Sequence, residues 1–137
     1  MKKQIKQVQE FQKAFGQVIN TEPTLVNKDL ALLRFKLMKE ENEEYLEAVY
    51  NDDIVEVADA LGDKLYILVG TILTHGMQYI IEDLLTEINR SNMSKLDDNG
   101  KPIINGANGI IDINRAMGKV LKSKNYSEPN IKQFLTK

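Results

Sequence analysis

Apolar residues recur every three or four positions through most of residues 1–95, the spacing that gathers them on one face of an α-helix. In the first such stretch Ile5, Val8 and Phe15 follow this spacing, and Gly16 supplies a helix end. Three more helices are predicted further along, at about Lys28 to Tyr50, from the Asn-Asp-Asp segment at 51–53 to Thr74, and at about Met77 to Arg90.

Local signals support these bounds. Asn27 is a suitable N-cap for the second helix, and His75-Gly76 ends the third. No stretch in this part alternates with a period of two. We therefore predict an all-α fold with a four-helix-bundle-like core.

From Leu96 onward the chain is rich in Gly, Asn and Asp, and Asn99-Gly100 is a turn signal. Helical periodicity is lost, so residues 96–137 are predicted to form an irregular tail. Apolar residues near its end indicate that it packs on something: Val120, Leu121, Tyr126, Ile131, Phe134 and Leu135. A length of 137 residues suits a single domain, composed of the bundle and this tail.

Acidic residues interrupt the core face of the second predicted helix. Glu41 and Glu44 continue the apolar line of Leu30, Leu33 and Leu37. A solvated acidic face is the ordinary interpretation of a glutamate-rich helix, and it suits Glu43 and Glu47, which have lysines nearby.

The third predicted helix carries a matching stripe. Glu56, Asp59 and Asp63 lie within about 60° of one another on a helix of 3.6 residues per turn. A short turn joins the two helices, so their acidic stripes are expected to face each other. Carboxylates gathered in this way repel and lose hydration unless a cation joins them.

The chemistry of that cation follows from the residue types. The chain has no cysteine and one histidine, His75, at a predicted helix end, so oxygen atoms are the available ligands. Carboxylate oxygens suit Mg²⁺ or Mn²⁺, and Mg²⁺ keeps positions open for water and phosphate oxygens. A phosphate-containing substrate is therefore indicated.

Composition limits the other partners. The 18 basic and 20 acidic residues give a net charge of −2, which provides no basic footprint for nucleic acid. The charged start leads into no apolar signal segment, and no run has the length of a membrane span. We expect a cytoplasmic protein that binds neither nucleic acid nor membrane.

Two motifs carry a family resemblance. The run EENEE at 40–44, followed by EVAD at 56–59, resembles the ExxE and ExxD signature of the MazG-like, all-α nucleoside triphosphate pyrophosphohydrolases. Companion segments resemble these enzymes and their phosphoribosyl-ATP pyrophosphohydrolase-like relatives in the same order: VQEFQKAFG, LLRFKLMKEENEEYLEA, EVADALGDKLYILVGT, INRSNMSKLDDNGKPI and GKVLKSKNY. The segment Asn105 to Met117 is longer than the resemblance predicts.

The resemblance implies a helical bundle completed as a homodimer or homotetramer. It implies Mg²⁺ held by Glu41, Glu44, Glu56 and Asp59, and cleavage of a nucleoside triphosphate to monophosphate and pyrophosphate, a reaction used to clear nucleotide pools. Water attack at the α-phosphorus needs charge neutralisation and a carboxylate that orients the water.

Two further acids each have two possible roles. Glu40 resembles the position that supplies the catalytic base in some members, and its alternative is a surface ion pair with Lys36. Asp63, one turn after Asp59, is either an additional metal ligand or an acceptor that holds a lysine or a metal-bound water.

Basic and polar residues near the tail are candidate ligands for the phosphates or base of the nucleotide: Arg90, Asn92, Lys95, Lys119, Lys122 and Tyr126. The alternative is that the lysines are solvated and Tyr126 is a packing residue. The rival function is a non-catalytic homologue that binds nucleotide or metal and regulates a partner through its C-terminal tail.

Overall fold

The computed structural model describes residues 1–135, which contain four α-helices and one short 3₁₀ helix. Their bounds are α1 Lys2–Ala14, α2 Lys28–Tyr50, α3 Ile54–Thr74, α4 Ile81–Met93 and the 3₁₀ helix Ile131–Phe134. Residues 1–135 include no β-strand, and one isolated antiparallel bridge pairs Ile104 with Val120. The predicted all-α class with a helical-bundle-like core is confirmed.

The chain divides into two compact units, Met1–Ile81 and the part from Glu82 onward. The first unit contains α1, α2 and α3, and the second contains α4 after its first residue together with the residues that follow it. No helix in the described part of the chain is long and apolar enough to cross a membrane.

Local capping explains why α2 and α3 have their predicted ends. The Asn27 side chain accepts a hydrogen bond from the backbone N–H of Leu30 at 2.9 Å. After the C-terminal end of α3, Gly76 has a φ of +70°, and a Cβ there would overlap the backbone of Glu22. The fourth helix begins at Ile81 rather than at Met77, because residues 78–80 form a turn.

The core of the first unit forms where α3 packs against α1. Ile5 and Val8 contribute from α1, and Val69 and Leu73 contribute from α3. α3 also packs along α2. The central helix therefore has a fixed position relative to both of its neighbours, which fixes where its acidic residues lie.

The buried line of α2 differs from the predicted one. Leu33 is 51% exposed, whereas Arg34 is 6% exposed. The Arg34 guanidinium donates to the Ile67 carbonyl oxygen at 2.6 Å and to Thr71 Oγ1 at 3.0 Å. The prediction of an apolar line through Leu33 was wrong, because a buried arginine satisfied by α3 takes that place.

In the second unit, turns follow α4. The predicted turn at Asn99-Gly100 is confirmed, since the Gly100 N–H donates to the Asp97 carbonyl oxygen at 3.0 Å and Gly100 has a φ of +71°. Of the six apolar residues named above near the end of the tail, four are half-buried: Leu121, Tyr126, Ile131 and Phe134. The other two of the six, Val120 and Leu135, are exposed at 44% each.

Candidate functional site

A tight turn sets the register between the two acidic helices. Residues 51–53 join α2 to α3, and Asp52 adopts a φ of +54°, a left-handed conformation that reverses the chain. Asp53 then caps α3, because its Oδ1 accepts from the N–H groups of Val55 and Glu56 at 3.0 and 3.1 Å. The first turn of α3 therefore starts beside the last turns of α2.

This register produces an acidic pocket of about 390 Å³, defined by its lining residues Glu44, Glu47, Ala48, Asn51, Asp53, Glu56, Asp59 and Ala60. Five of them are carboxylates, and among the described residues that line the pocket none is basic. Three of the predicted metal ligands, Glu44, Glu56 and Asp59, are thus brought to one cavity. The predicted convergence of the two stripes is visible in this lining.

Glu47 and Asp53 also line the acidic pocket, although the sequence did not single them out as site residues. Glu47 is exposed as well as lining the pocket, so the solvated-face interpretation of Glu47 stays a prediction. It holds for Glu43, whose carboxylate pairs with Lys39 at 3.3 Å on an exposed surface. The position of Glu47, one turn after Glu43 and three residues after Glu44, was the available signal.

Glu41 is in a different environment from its neighbours. Its side chain is half-buried, and Oε2 is buried without a hydrogen-bond partner. Burial raises the pKa of Glu41, and the negative charges of nearby acids raise that pKa further: Glu44, Asp63, Glu40 and Asp59. A buried carboxylate oxygen that faces other acids is an arrangement that a cation would stabilise.

The residues present therefore fit a hard divalent cation in their chemistry. In the described part of the chain, however, no three acidic or histidine side chains converge closely enough to coordinate one ion as they lie. Glu44, Glu56 and Asp59 are exposed, so other staggered rotamers are accessible to them. The assignment of metal ligands stays a prediction.

Glu40 and Asp63 lie beside this group. Both are exposed, and both are near enough to Glu41 to raise its pKa. His75 takes no part in it, because its Nδ1 lies 2.9 Å from the Thr24 carbonyl oxygen at the end of α3. Its position at a helix end agrees with the predicted structural role.

Among the predicted substrate-binding residues, Arg90 holds its own segment together. It forms two hydrogen bonds with the Glu87 carboxylate, at 2.8 and 2.7 Å, and donates to Ser127 Oγ and to the Glu128 carbonyl oxygen at 3.2 and 3.0 Å. The Arg90 hydrogen bonds, followed by a hydrogen bond from the Asn130 N–H, lower the pKa of Glu87 to about 2.

The other predicted substrate-binding residues form two kinds of contact. Lys95 Nζ donates to Asn92 Oδ1 at 2.7 Å, and Lys122 Nζ lies 4.0 Å above the centre of the Tyr126 ring. A second cavity, of about 450 Å³, is lined by Lys95, Asp112, Arg115, Lys119, Val120, Leu121 and Lys122, and we call it the basic pocket. Three of the six predicted substrate-binding residues line this pocket. Arg115 lines it as well, although the sequence analysis did not identify it as a site residue.

A family model described as phosphoribosyl-ATP pyrophosphohydrolase matches residues 8–92. The match covers more than half of the 137 residues and includes every predicted metal ligand and Glu40. No curated protein shows a significant match to the chain.

Proposed function

The chain belongs to the phosphoribosyl-ATP pyrophosphohydrolase family, within the MazG-like all-α superfamily of pyrophosphohydrolases, and we propose that it hydrolyses a nucleotide to a monophosphate and pyrophosphate with the help of Mg²⁺. The observation that carries this proposal is the acidic pocket, with the unpartnered Glu41 oxygen beside it, inside the matched residues. Nucleotide-pool clearance is a suitable role for such an activity.

Glu41, Glu44, Glu56 and Asp59 are the residues that would hold Mg²⁺, with Mn²⁺ as a substitute and Asp63 as a further ligand or acceptor. The ion, when bound, supplies positive charge that neutralises phosphate oxygens and the leaving pyrophosphate. Because these carboxylates come from two helices whose packing is fixed, the helices keep their places and only the side chains need to change rotamer when the ion binds.

Glu40 is proposed as the base. Its exposed carboxylate sits one residue before Glu41, outside the buried part of the group, where water has access. The oxygen of one water forms a bond to the α-phosphorus while the bond from that phosphorus to the bridging oxygen of pyrophosphate breaks. Glu40 accepts the proton that the water loses.

The basic side chains of the second unit are proposed to bind phosphates, since Lys95, Lys119 and Lys122 share one cavity. Asn92 and Tyr126 contact two of these lysines, so they serve to orient them. Arg90 is better described as a positioning residue, because the Glu87 carboxylate, the Ser127 hydroxyl and the Glu128 carbonyl oxygen already occupy its donors.

We also propose that the functional form is a homodimer or homotetramer. The first unit exposes many large apolar side chains on α2 and α3, each at 45% or more: Leu32, Leu33, Phe35, Leu46, Tyr50, Ile54, Val55, Leu61, Leu65 and Leu68. Apolar surface on this scale in one small unit is typical of an interface with another subunit. Light scattering at micromolar concentration should give a dimer or tetramer, and a monomer would contradict the proposal.

The activity is tested with a panel of ribo- and deoxyribonucleoside triphosphates and phosphoribosyl-ATP, with Mg²⁺ and with Mn²⁺. Pyrophosphate and orthophosphate are measured separately. We expect at least one substrate to give equal amounts of monophosphate and pyrophosphate. Release of orthophosphate with a diphosphate product would exclude this mechanism, and nucleotide binding without any turnover would favour the non-catalytic regulatory homologue.

A further inference from the structure

The segment Asn105–Met117 folds around one buried side chain. Asn105 is 2% exposed, and its Nδ2 donates to the carbonyl oxygens of Asp112, Arg115 and Ala116 at 3.0, 2.9 and 3.1 Å. Its Oδ1 accepts from the Asp112 N–H at 2.7 Å. One asparagine therefore satisfies four backbone groups of a loop that has no regular secondary structure.

The backbone of Asn105 closes the same loop. Its N–H donates to the Lys119 carbonyl oxygen, and its carbonyl accepts from the Gly118 N–H, both at 2.9 Å. The backbone at Arg115 is thus held on one side by the Asn105 amide, and on the other by its own N–H, which donates to the Asp112 carbonyl oxygen at 3.1 Å. These hydrogen bonds within the loop fix the position of the Arg115 backbone.

That position is the wall of the basic pocket. Four cationic side chains, those of Lys95, Arg115, Lys119 and Lys122, line the cavity together with a single carboxylate, Asp112. This excess of positive charge occurs in a chain whose net charge is −2. The described lining of the basic pocket therefore has a local excess of positive charge that the net charge of the chain does not reveal.

The contacts inside the pocket do not cancel that surplus. Arg115 Nε lies 4.0 Å from Asp112 Oδ2, which is too long for a hydrogen bond, and both side chains are substantially exposed. Lys95 and Lys122 contact an amide oxygen and an aromatic ring, which are neutral groups. The three side chains retain donors and charge for an anion.

We propose that the basic pocket binds an oligophosphate, as the triphosphate chain of a nucleotide or as free pyrophosphate, and that Arg115 is one of its binding residues. The excess of three positive charges matches a multiply charged anion, and the planar guanidinium suits two oxygens of a phosphate. A volume of about 450 Å³ is within the range of small-molecule sites. The assignment to substrate or product phosphates rests on the proposed function.

The test is calorimetric titration of the full chain in excess chelator, so that no metal bridges ligand and protein and no hydrolysis takes place. The ligands are pyrophosphate and ATP, with AMP as a ligand that lacks an oligophosphate chain. Wild type is compared with Arg115→Gln, Arg115→Lys and Lys101→Gln. The last is a charge-matched control in the same unit, since Lys101 does not line the pocket.

We expect pyrophosphate and ATP to bind wild type and Lys101→Gln equally, and AMP to bind far more weakly. Arg115→Gln should weaken oligophosphate binding by about tenfold, as one charge-assisted contact is lost, and Arg115→Lys should recover part of it. Asn105→Ala should weaken binding as Arg115→Gln does, although it keeps all four cations, because the loop loses its support.

Equal loss for both ligands supports binding of the shared phosphate chain, and loss for pyrophosphate alone supports a product site. The proposal is overturned if wild type binds neither ligand without metal, or if Arg115→Gln matches Lys101→Gln. Turnover is measured separately on the same variants. Binding that follows Arg115 in a chain without turnover would refute the proposed function alone, and turnover with no effect of Arg115 on binding would refute this inference alone.

Discussion

The two units of the molecule carry cavities of similar volume, about 390 and 450 Å³, and opposite charge. Residues 1–81 contain nine basic and thirteen acidic residues, and residues 82–137 contain nine basic and seven acidic ones. The net charge of −2 is therefore the sum of an acidic unit and a basic unit. A nearly neutral chain can contain two strongly charged sites, and the local lining indicates the ligand better than the total does.

The two pockets are also supported differently. The acids of the first pocket project from two helices that are joined by a capped turn, so their spacing is set by helix packing. The cations of the second pocket lie mainly on irregular backbone, and hydrogen bonds from Asn105 hold the loop that carries Arg115. Rigid elements give a more precise geometry than loops, which suits a metal site more than a phosphate site.

Two glutamates, one in each unit, have pKa values shifted in opposite directions. Glu41 has a raised pKa because it is partly buried and surrounded by acids, and Glu87 has a lowered pKa because Arg90 donates two hydrogen bonds to it. The same residue type is therefore destabilised as an anion in one unit and stabilised as an anion in the other. Each prediction below alters one of the two units.

The largest effect is expected from Glu56→Gln, which neutralises a wall of the acidic pocket. If Glu56 holds the metal, turnover should fall by roughly a hundredfold or more, because loss of a ligand exceeds the 10- to 100-fold effect of losing a group that only supports one. Steady-state pyrophosphate release checks this. Glu43→Gln is the matched control, since its carboxylate pairs with Lys39 outside the pocket and should be nearly silent.

Glu47→Gln sharpens the same test. Glu47 lines the pocket, so we expect a measurable loss of Mg²⁺ affinity, smaller than that of Glu56→Gln. Near-normal turnover in Glu56→Gln would mean that the acidic pocket is not the catalytic site.

The next effect concerns the packing that positions the acids. In Gly70→Ala the added Cβ would lie 2.8 Å from Arg34 Nη2, a buried group that donates to the Ile67 carbonyl oxygen. We expect a loss of about 1–3 kcal/mol in the free energy of unfolding, as in other overpacked cores. Chemical denaturation in chelator measures it.

Gly62→Ala is the control on the same helix, because a Cβ there meets nothing within 4 Å. It should stabilise the protein by about 0.5–1 kcal/mol, through the helix propensity of alanine. Destabilisation of equal size in both variants would show that α3, rather than the contact with Arg34, is sensitive to substitution.

The sequence was sufficient for most helix ends and for the convergence of Glu44 with Glu56 and Asp59, because both depend on local signals. Asn27 and the His75-Gly76 pair set helix ends through contacts within a few residues. The acidic stripes of α2 and α3 converge because a short turn connects them. Short-range capping and helical spacing are the information that a single sequence states directly.

Features that depend on distant partners were missed. On α2, leucine at 33 and arginine at 34 both fit a helical spacing, and only the carbonyl of Ile67 and the hydroxyl of Thr71 on α3 decide that Arg34 is buried. Arg115 lies in a loop without periodicity, and its place depends on the side chain of Asn105, ten residues away. Neither contact has a signature in the sequence near the residue.

A smaller effect is expected when the charge of Glu41 is removed. Its pKa is raised in the folded state, so the folded protein binds the proton more tightly than the unfolded chain does. The metal-free protein should lose stability as pH rises from the ordinary value of 4.5 through the raised pKa. Glu41→Gln should remove this loss, so that above this window the variant melts at a higher temperature than wild type in chelator.

The effect of Mg²⁺ on the melting temperature is the complementary measurement. Melting in chelator and in millimolar Mg²⁺ should show stabilisation of wild type, and little or none in Glu41→Gln. Asp59→Asn, on the facing helix, should behave in the same way. A lower melting temperature for both variants in chelator, with no response of wild type to Mg²⁺, would mean that these acids are structural rather than ligands.

The smallest effect lies in the second unit, at the Glu87–Arg90 pair. The pKa of Glu87 is lowered to about 2, so its contribution to stability is present above the ordinary value of 4.5 and is lost as pH falls from 4.5 toward 2. Carboxyl carbon NMR titration should report this pKa directly.

In Arg90→Gln the pKa of Glu87 should rise but stay below 4.5, because the Asn130 N–H still donates to Oε1 at 2.8 Å. Lys101→Gln should leave it unchanged, which separates the direct hydrogen bonds from a general change in charge. A Glu87 pKa near 4.5 in wild type would mean that Arg90 does not stabilise the Glu87 anion. The electrostatic difference between Glu41 and Glu87 would then be lost.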